Sequence, residues 1–133
     1  MSKVALVTGG TRGIGAAIAK KLKDEGFRVV STYVGKEESA QAYSKQSGIE
    51  VIKSDVSYFE SCKSAVAEVE KKYGDIEIVV NNAGITKDRF LHKMNPEEWN
   101  SVINTNLNSL FNICYFLIGF QCIFWRSIFV NQN

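Results

Sequence analysis

The stretch that decides the fold is Val4-Ala5-Leu6-Val7-Thr8-Gly9-Gly10-Thr11-Arg12-Gly13-Ile14-Gly15. Its first four residues form an unbroken apolar run, the pattern of a strand covered on both faces of a parallel sheet. Glycines at 9, 13 and 15 follow at once in a G-x-x-x-G-x-G spacing. Ile14, Ala17, Ile18 and Leu22 then recur at helical spacing with lysines between them, and Gly26 closes the segment. The order is strand, glycine turn, helix. Glycine permits close approach of backbone to a ligand, and a helix starting near Gly13 aims unpaired N–H groups and its positive end at whatever sits above the turn. A pyrophosphate is the natural occupant; a tight turn without a ligand is the alternative.

The same alternation continues downstream. Arg28 to Tyr33 is β-branched and aromatic, Lys36 to Gln46 is polar and helix-permissive, and Glu50 to Lys53 makes another short strand. Cys62, Ala65, Val66, Val69 and Tyr73 place one apolar stripe on a charged helix that stops at Gly74, and Ile76 to Val80 is again a buried-strand run. Asn95-Pro96-Glu97-Glu98 reads as a helix start, with an Asn cap, a proline whose missing N–H costs nothing and two carboxylates at the positive end. The helix is expected to run from Pro96 past Asn106. Four βα units predict an α/β fold, a doubly wound parallel sheet with helices on both faces and the site at the carboxyl ends of the strands.

Dinucleotide sites discriminate at the ribose through the residue ending the second strand. An acid there accepts from a 2′-hydroxyl and repels a 2′-phosphate. Here the segment is Thr32-Tyr33-Val34-Gly35-Lys36, with no carboxylate before Glu37, while Arg12 and Lys36 offer positive charge. NADP is therefore favoured over NAD; the alternative is that both cations are ordinary solvated charges.

Composition narrows the remaining classes. The 133 residues are 45% hydrophobic and 23% charged, which allows one ordinary core and no second domain. Sixteen basic residues stand against fourteen acidic ones without a basic stripe, so nucleic acid is not an expected partner. Cys62, Cys114 and Cys122 have no metal-ligand spacing, and no signal peptide precedes the first strand, so a reducing cytoplasmic setting is expected. His92, the sole histidine, is assigned no role.

Four motifs in this order resemble the classical short-chain dehydrogenase/reductases. They are the glycine loop, Asp55-Val56 after the third strand, Asn81-Asn82-Ala83-Gly84 at the end of the fourth, and Asn106 within Ile103-Asn104-Thr105-Asn106-Leu107. The resemblance implies a Rossmann-type fold that holds NADP through Gly9, Thr11, Arg12, Gly13, Ile14, Gly15, Asp55, Val56, Asn82, Ala83, Gly84, Ile85 and Thr86. Asp55 and the backbone of Val56 would meet the adenine ring. Asn82 would either touch the cofactor or tie neighbouring strands together. Gly84-Ile85-Thr86-Lys87-Asp88-Arg89, His92-Lys93-Met94 and Trp99 look most like the acetoacetyl-CoA reductase branch, with 3-oxoacyl carrier-protein reductases next. That implies an acyl thioester substrate, with Asp88 near it, and Asn106 as a catalytic residue anchoring a water in a proton relay. Family members are commonly tetramers.

The resemblance covers residues 1–112, read as an incomplete NADP-binding domain. Family chemistry also needs a Tyr, a Lys four residues later and a Ser on the next strand. None of Tyr33, Tyr43, Tyr58, Tyr73 and Tyr115 has Lys at that spacing, and no Ser-bearing strand is expected after the helix. With four strands, the fourth is expected to expose an edge. Residues 113–133 form an apolar, aromatic-rich tail in which Phe116, Phe120 and Phe124 share a helical face while Ile118 and Ile123 lie elsewhere. From Trp99 onward Arg126 is the only charged side chain. The tail is read as the end of a truncated or frame-shifted chain; a partner-binding patch and a marginal membrane span are the alternatives. The expected outcome is a reductase of 3-oxoacyl thioesters by family, or a catalytically inactive nucleotide-binding remnant.

Overall fold

The computed structural model describes residues 2–117 and, at the level of backbone, Arg126–Phe129. The expected alternation is present as β1 (Val4–Val7), α1 (Gly13–Asp24), β2 (Arg28–Tyr33), α2 (Glu37–Ser47), β3 (Glu50–Lys53), α3 (Phe59–Tyr73) and β4 (Ile76–Asn81). A 3-10 turn at Leu91–Lys93 precedes α4 (Pro96–Ile103), a single π-helical turn (Asn104–Asn108) and α5 (Ser109–Leu117). A final strand, β5, spans Arg126–Phe129.

All strand pairs are parallel and lie in the order β3-β2-β1-β4-β5. Chain order runs outward from β1 to β3 on one side, then crosses to β4 on the other. The order in which strands are added therefore reverses beside β1, where open α/β sheets leave a crevice outside the carboxyl ends of their strands.

Burial on both faces explains the apolar run of β1. Val4 and Leu6 join one core with Cys62, Ala65, Val66 and Val69 of α3 and Ile113 of α5. Ala5 and Val7 join a second with Ala19 of α1 and Ile49, against which Ile18, Leu22 and Tyr43 pack. Alternate residues of one strand thus supply two cores, and neither face can accept a charge.

Two expectations are corrected. β4 is not an edge, because β5 pairs with it from Ile78↔Arg126 to Asn81↔Phe129. A serine-bearing strand does follow the helix: β5 carries Ser127, opposite Val79 in mid-strand and short of the carboxyl edge. Apolar spacing alone did not reveal this strand, since its register is set by pairing to β4.

The helix after Pro96 does run past Asn106, with a π turn inside it. Its start is a capping box in which the Asn95 side chain accepts from the Glu98 amide and the Glu98 carboxylate accepts from the Asn95 amide. α5 continues without a break through residues 112 and 113, and Ile113 is fully buried. Phe120, Phe124, Ile118 and Ile123 lie outside the described residues. Among the described residues, no helix is long and apolar enough to cross a membrane.

Candidate functional site

The glycine loop is built by backbone geometry that only its glycines tolerate. Gly9 and Gly13 have φ of 61° and 54°, in the left-handed region. Gly15 is excluded from change for another reason: a Cβ there would collide with the Gly9 carbonyl oxygen and with Nδ2 of Asn82. A Cβ on Gly13, by contrast, would meet nothing within 4 Å. The loop is therefore packed from below and open above.

Side chains from the neighbouring strands hold it in place. Asn82 Nδ2 donates to the carbonyls of Thr8 and Gly9, each at 3.0 Å. Thr8 Oγ1 accepts from the amides of Asn82 and Ala83, both at 3.0 Å, and Thr32 Oγ1 accepts from the Gly9 amide at 3.2 Å. Asn82 consequently does the strand-tying work that was one of its two expected roles. Thr8 and Thr32 are site residues that motif reading passed over. Both are buried, Thr8 just after β1 and Thr32 one residue before the end of β2, and that position beside the glycine turn is the signal.

Above the loop, α1 begins with Arg12 as its N-cap residue, in extended conformation and without a side-chain cap. The first intrahelical bond runs from the Ala16 amide to the Arg12 carbonyl. The amides of Gly13, Ile14 and Gly15 are the orphan donors of the first turn, and no acid occupies that turn. Arg12 and Ile14 are exposed beside them and Thr11 is half-buried. This is a cradle with donors, positive charge and free space, and a pyrophosphate fits it.

Asp55 and Val56 follow β3. Asp55 Oδ1 accepts from the Ser57 amide at 3.0 Å and from its hydroxyl at 2.6 Å, which leaves Oδ2 for an outside donor. The Val56 carbonyl accepts from Asn112 Nδ2 at 3.0 Å, so α5 pins the turn that carries both residues. Asn112 is buried and was not foreseen as a site residue. Beneath the turn, burial, with the Asp55 charge adding to it, pushes the Cys62 thiol up to about 12. Cys114 is also raised by burial, and the Asn81 amide partly offsets the shift.

At the end of β4 the chain passes Ala83 and Gly84 to Ile85. Asn106 Oδ1 accepts from the Ile85 amide and its Nδ2 donates to the Ile85 carbonyl, both at 2.8 Å. Asn106 stands inside the π turn, and π turns within helices commonly mark functional positions. Oδ1 and Nδ2 each make one bond in this clamp, which leaves a second lone pair and a second N–H on the side chain. Thr86 and Asp88 lie beyond the clamp on an exposed segment, and among the described residues neither has an ion pair or a side-chain hydrogen bond. The structure thus links the glycine loop to Asn82 and Ala83, and Ile85 to Asn106, while Asp88 is joined to neither. Among the described residues no His, Cys, Asp and Glu group could hold a metal ion.

A family model described as short chain dehydrogenase matches residues 3–120. The chain belongs to that family. The chain is 53% identical over 115 residues to the acetoacetyl-CoA reductase of Shinella zoogloeoides, covering 86% of the chain and 48% of that protein. It is 52% identical over 115 residues, with the same coverage, to the acetoacetyl-CoA reductase of Rhizobium meliloti (strain 1021). A 3-oxoacyl-[acyl-carrier-protein] reductase of Staphylococcus epidermidis is 43% identical over 117 residues, covering 84% of the chain and 48% of its own length. The chain spans about half the length of the curated relatives it matches.

Proposed function

We propose that this chain is the NADP-binding half of a cytoplasmic reductase that converts a 3-oxoacyl thioester, acetoacetyl-CoA above all, to the 3-hydroxyacyl thioester. The observation that carries the reading is the cradle over Gly13: a turn locked from below by Asn82 and Thr8, open above, and supplied with free amides and Arg12. β2 ends without an acid at Tyr33 and is followed by exposed Val34, Gly35 and Lys36, which favours a 2′-phosphate over a bare ribose.

In this reading the amides of Gly13, Ile14 and Gly15, with Gly9 and Thr11, hold the diphosphate, and Arg12 pairs with the 2′-phosphate. Asp55 and Val56 receive the adenine. Asn82, Ala83, Gly84, Ile85 and Thr86 line the path to the nicotinamide, which supplies a hydride when bound. Asn106 fixes Ile85 beside that path, and Asp88 stands on the substrate side.

A second reading has its own observation. Within these 133 residues no tyrosine is followed by Lys at the fourth position, so the general acid and the group that lowers its pKa are both missing from this polypeptide. On that reading the chain binds the nucleotide without turnover. Titration of the purified chain with NADPH and NADH, followed by nucleotide fluorescence, tests the binding that both readings share. Saturable binding, tighter for NADPH, is expected; no binding of either nucleotide would remove both. Addition of acetoacetyl-CoA then separates them, since oxidation of NADPH by this chain alone would reject the second.

A further inference from the structure

Beyond the nucleotide cradle, the segment from Lys87 to Lys93 is unusual in what it leaves uncovered. Phe90 is 73% exposed and Leu91 75%, although both belong to residue types that a fold normally buries. The segment is held all the same. Arg89 pairs with Glu98 at 2.9 Å, and the Lys93 and Met94 amides donate to the carbonyls of Phe90 and Leu91 at 2.8 and 3.2 Å.

The aromatic rings are ordered relative to one another. Phe90 and His92 are stacked, with centroids 5.8 Å apart and planes within 19° of each other. Lys93 Nζ sits 5.8 Å from the Phe90 centroid. Arg89 is already paired, whereas Lys87 and Lys93 make no ion pair among the described residues. Flat π-surface beside an uncompensated cation is the chemistry that receives a nucleobase and its phosphates.

We propose that Phe90, His92 and Lys93 form the docking platform for the adenosine 3′,5′-diphosphate end of a coenzyme A thioester. The proposal rests on the reading of the chain as part of a thioester reductase and names where the carrier, not the acyl group, is held. Phe90 is five residues beyond Ile85, so even fully extended chain puts it at most about 18 Å from the clamp with Asn106, a span suited to a pantetheine arm. The compactness of the patch favours coenzyme A over an acidic carrier protein, whose dispersed carboxylates call for cations spread across a face.

The test is calorimetric titration of the purified chain with coenzyme A, 3′-dephospho-coenzyme A and pantetheine, with and without saturating NADPH. Coenzyme A is expected to bind in the presence of NADPH, and pantetheine at least about tenfold more weakly. Phe90→Ala should weaken coenzyme A about fivefold by loss of stacking. Lys93→Gln should weaken coenzyme A more than it weakens the dephospho compound. Both side chains are exposed, so the variants should fold, and NADPH affinity should stay unchanged in each. Equal affinity for coenzyme A and pantetheine, or unaltered coenzyme A binding in both variants, would overturn the platform. Binding of an acidic carrier protein with none of coenzyme A would do the same. Loss of NADPH binding in the unmodified chain would instead strike the nucleotide reading, and the variant series on coenzyme A without NADPH still decides the platform.

Discussion

Asn106 grips Ile85 by both its backbone groups, with Oδ1 and Nδ2 each 2.8 Å from their partners. A helix interior thereby fixes the first residue beyond the small-residue stretch that ends β4. Replacing Asn106 with Ala removes both bonds and should destabilise the chain by about 1–2 kcal/mol. Urea denaturation checks this. NADPH affinity should fall with it, and Asn106→Asp should recover only the bond from the Ile85 amide.

Gly15→Ala places a methyl group against the Gly9 carbonyl and Asn82 Nδ2, neither of which can retreat without breaking the tie between loop and β4. The expected cost is about 1–3 kcal/mol of stability, together with loss of NADPH binding by fluorescence. Gly13→Ala separates the two causes. It meets open space but strains the backbone, so it should impair binding through the loop's conformation alone.

Arg12→Ala tests the reading of the 2′-phosphate. NADPH should lose about tenfold in affinity, or ~1.4 kcal/mol, while NADH is little affected. An unchanged ratio of the two dissociation constants would reject Arg12 in that role.

The Cys62 thiol carries a pH prediction. Its folded pKa is raised from 9.0 to about 12, by burial first and the Asp55 charge second. The folded state holds this proton more tightly than the unfolded one, so the contribution is intact below the unfolded value and is lost as pH rises towards the folded value. Stability to urea should decline from about pH 9 upward, and Cys62→Ala should flatten the decline. Cys62 should also resist thiol reagents until the chain unfolds.

Legibility in the sequence followed the range over which each signal acts. The four strands β1 to β4 and the loop glycines were readable because apolar runs and turn residues act within a few positions, as at Val4–Val7 and Gly13. Thr8, Thr32 and Asn112 escaped because their roles depend on partners far along the chain: Thr8 with Ala83, Thr32 with Gly9, Asn112 with Val56. β5 escaped for the same reason, since Arg126–Phe129 is a strand through its pairing with β4. Asn106 was singled out by resemblance, whereas the engagement of its side chain with Ile85 came only from the packing of the π turn.

The bond between Asn82 and Gly9 joins positions 73 apart. During synthesis the glycine turn can meet Thr32 early, whereas the bonds from Asn82 and Ala83 form only after β4 has been made. Completion of the braced loop must wait for translation to pass Ala83, which makes it a late, cooperative event governed by long-range parallel pairing.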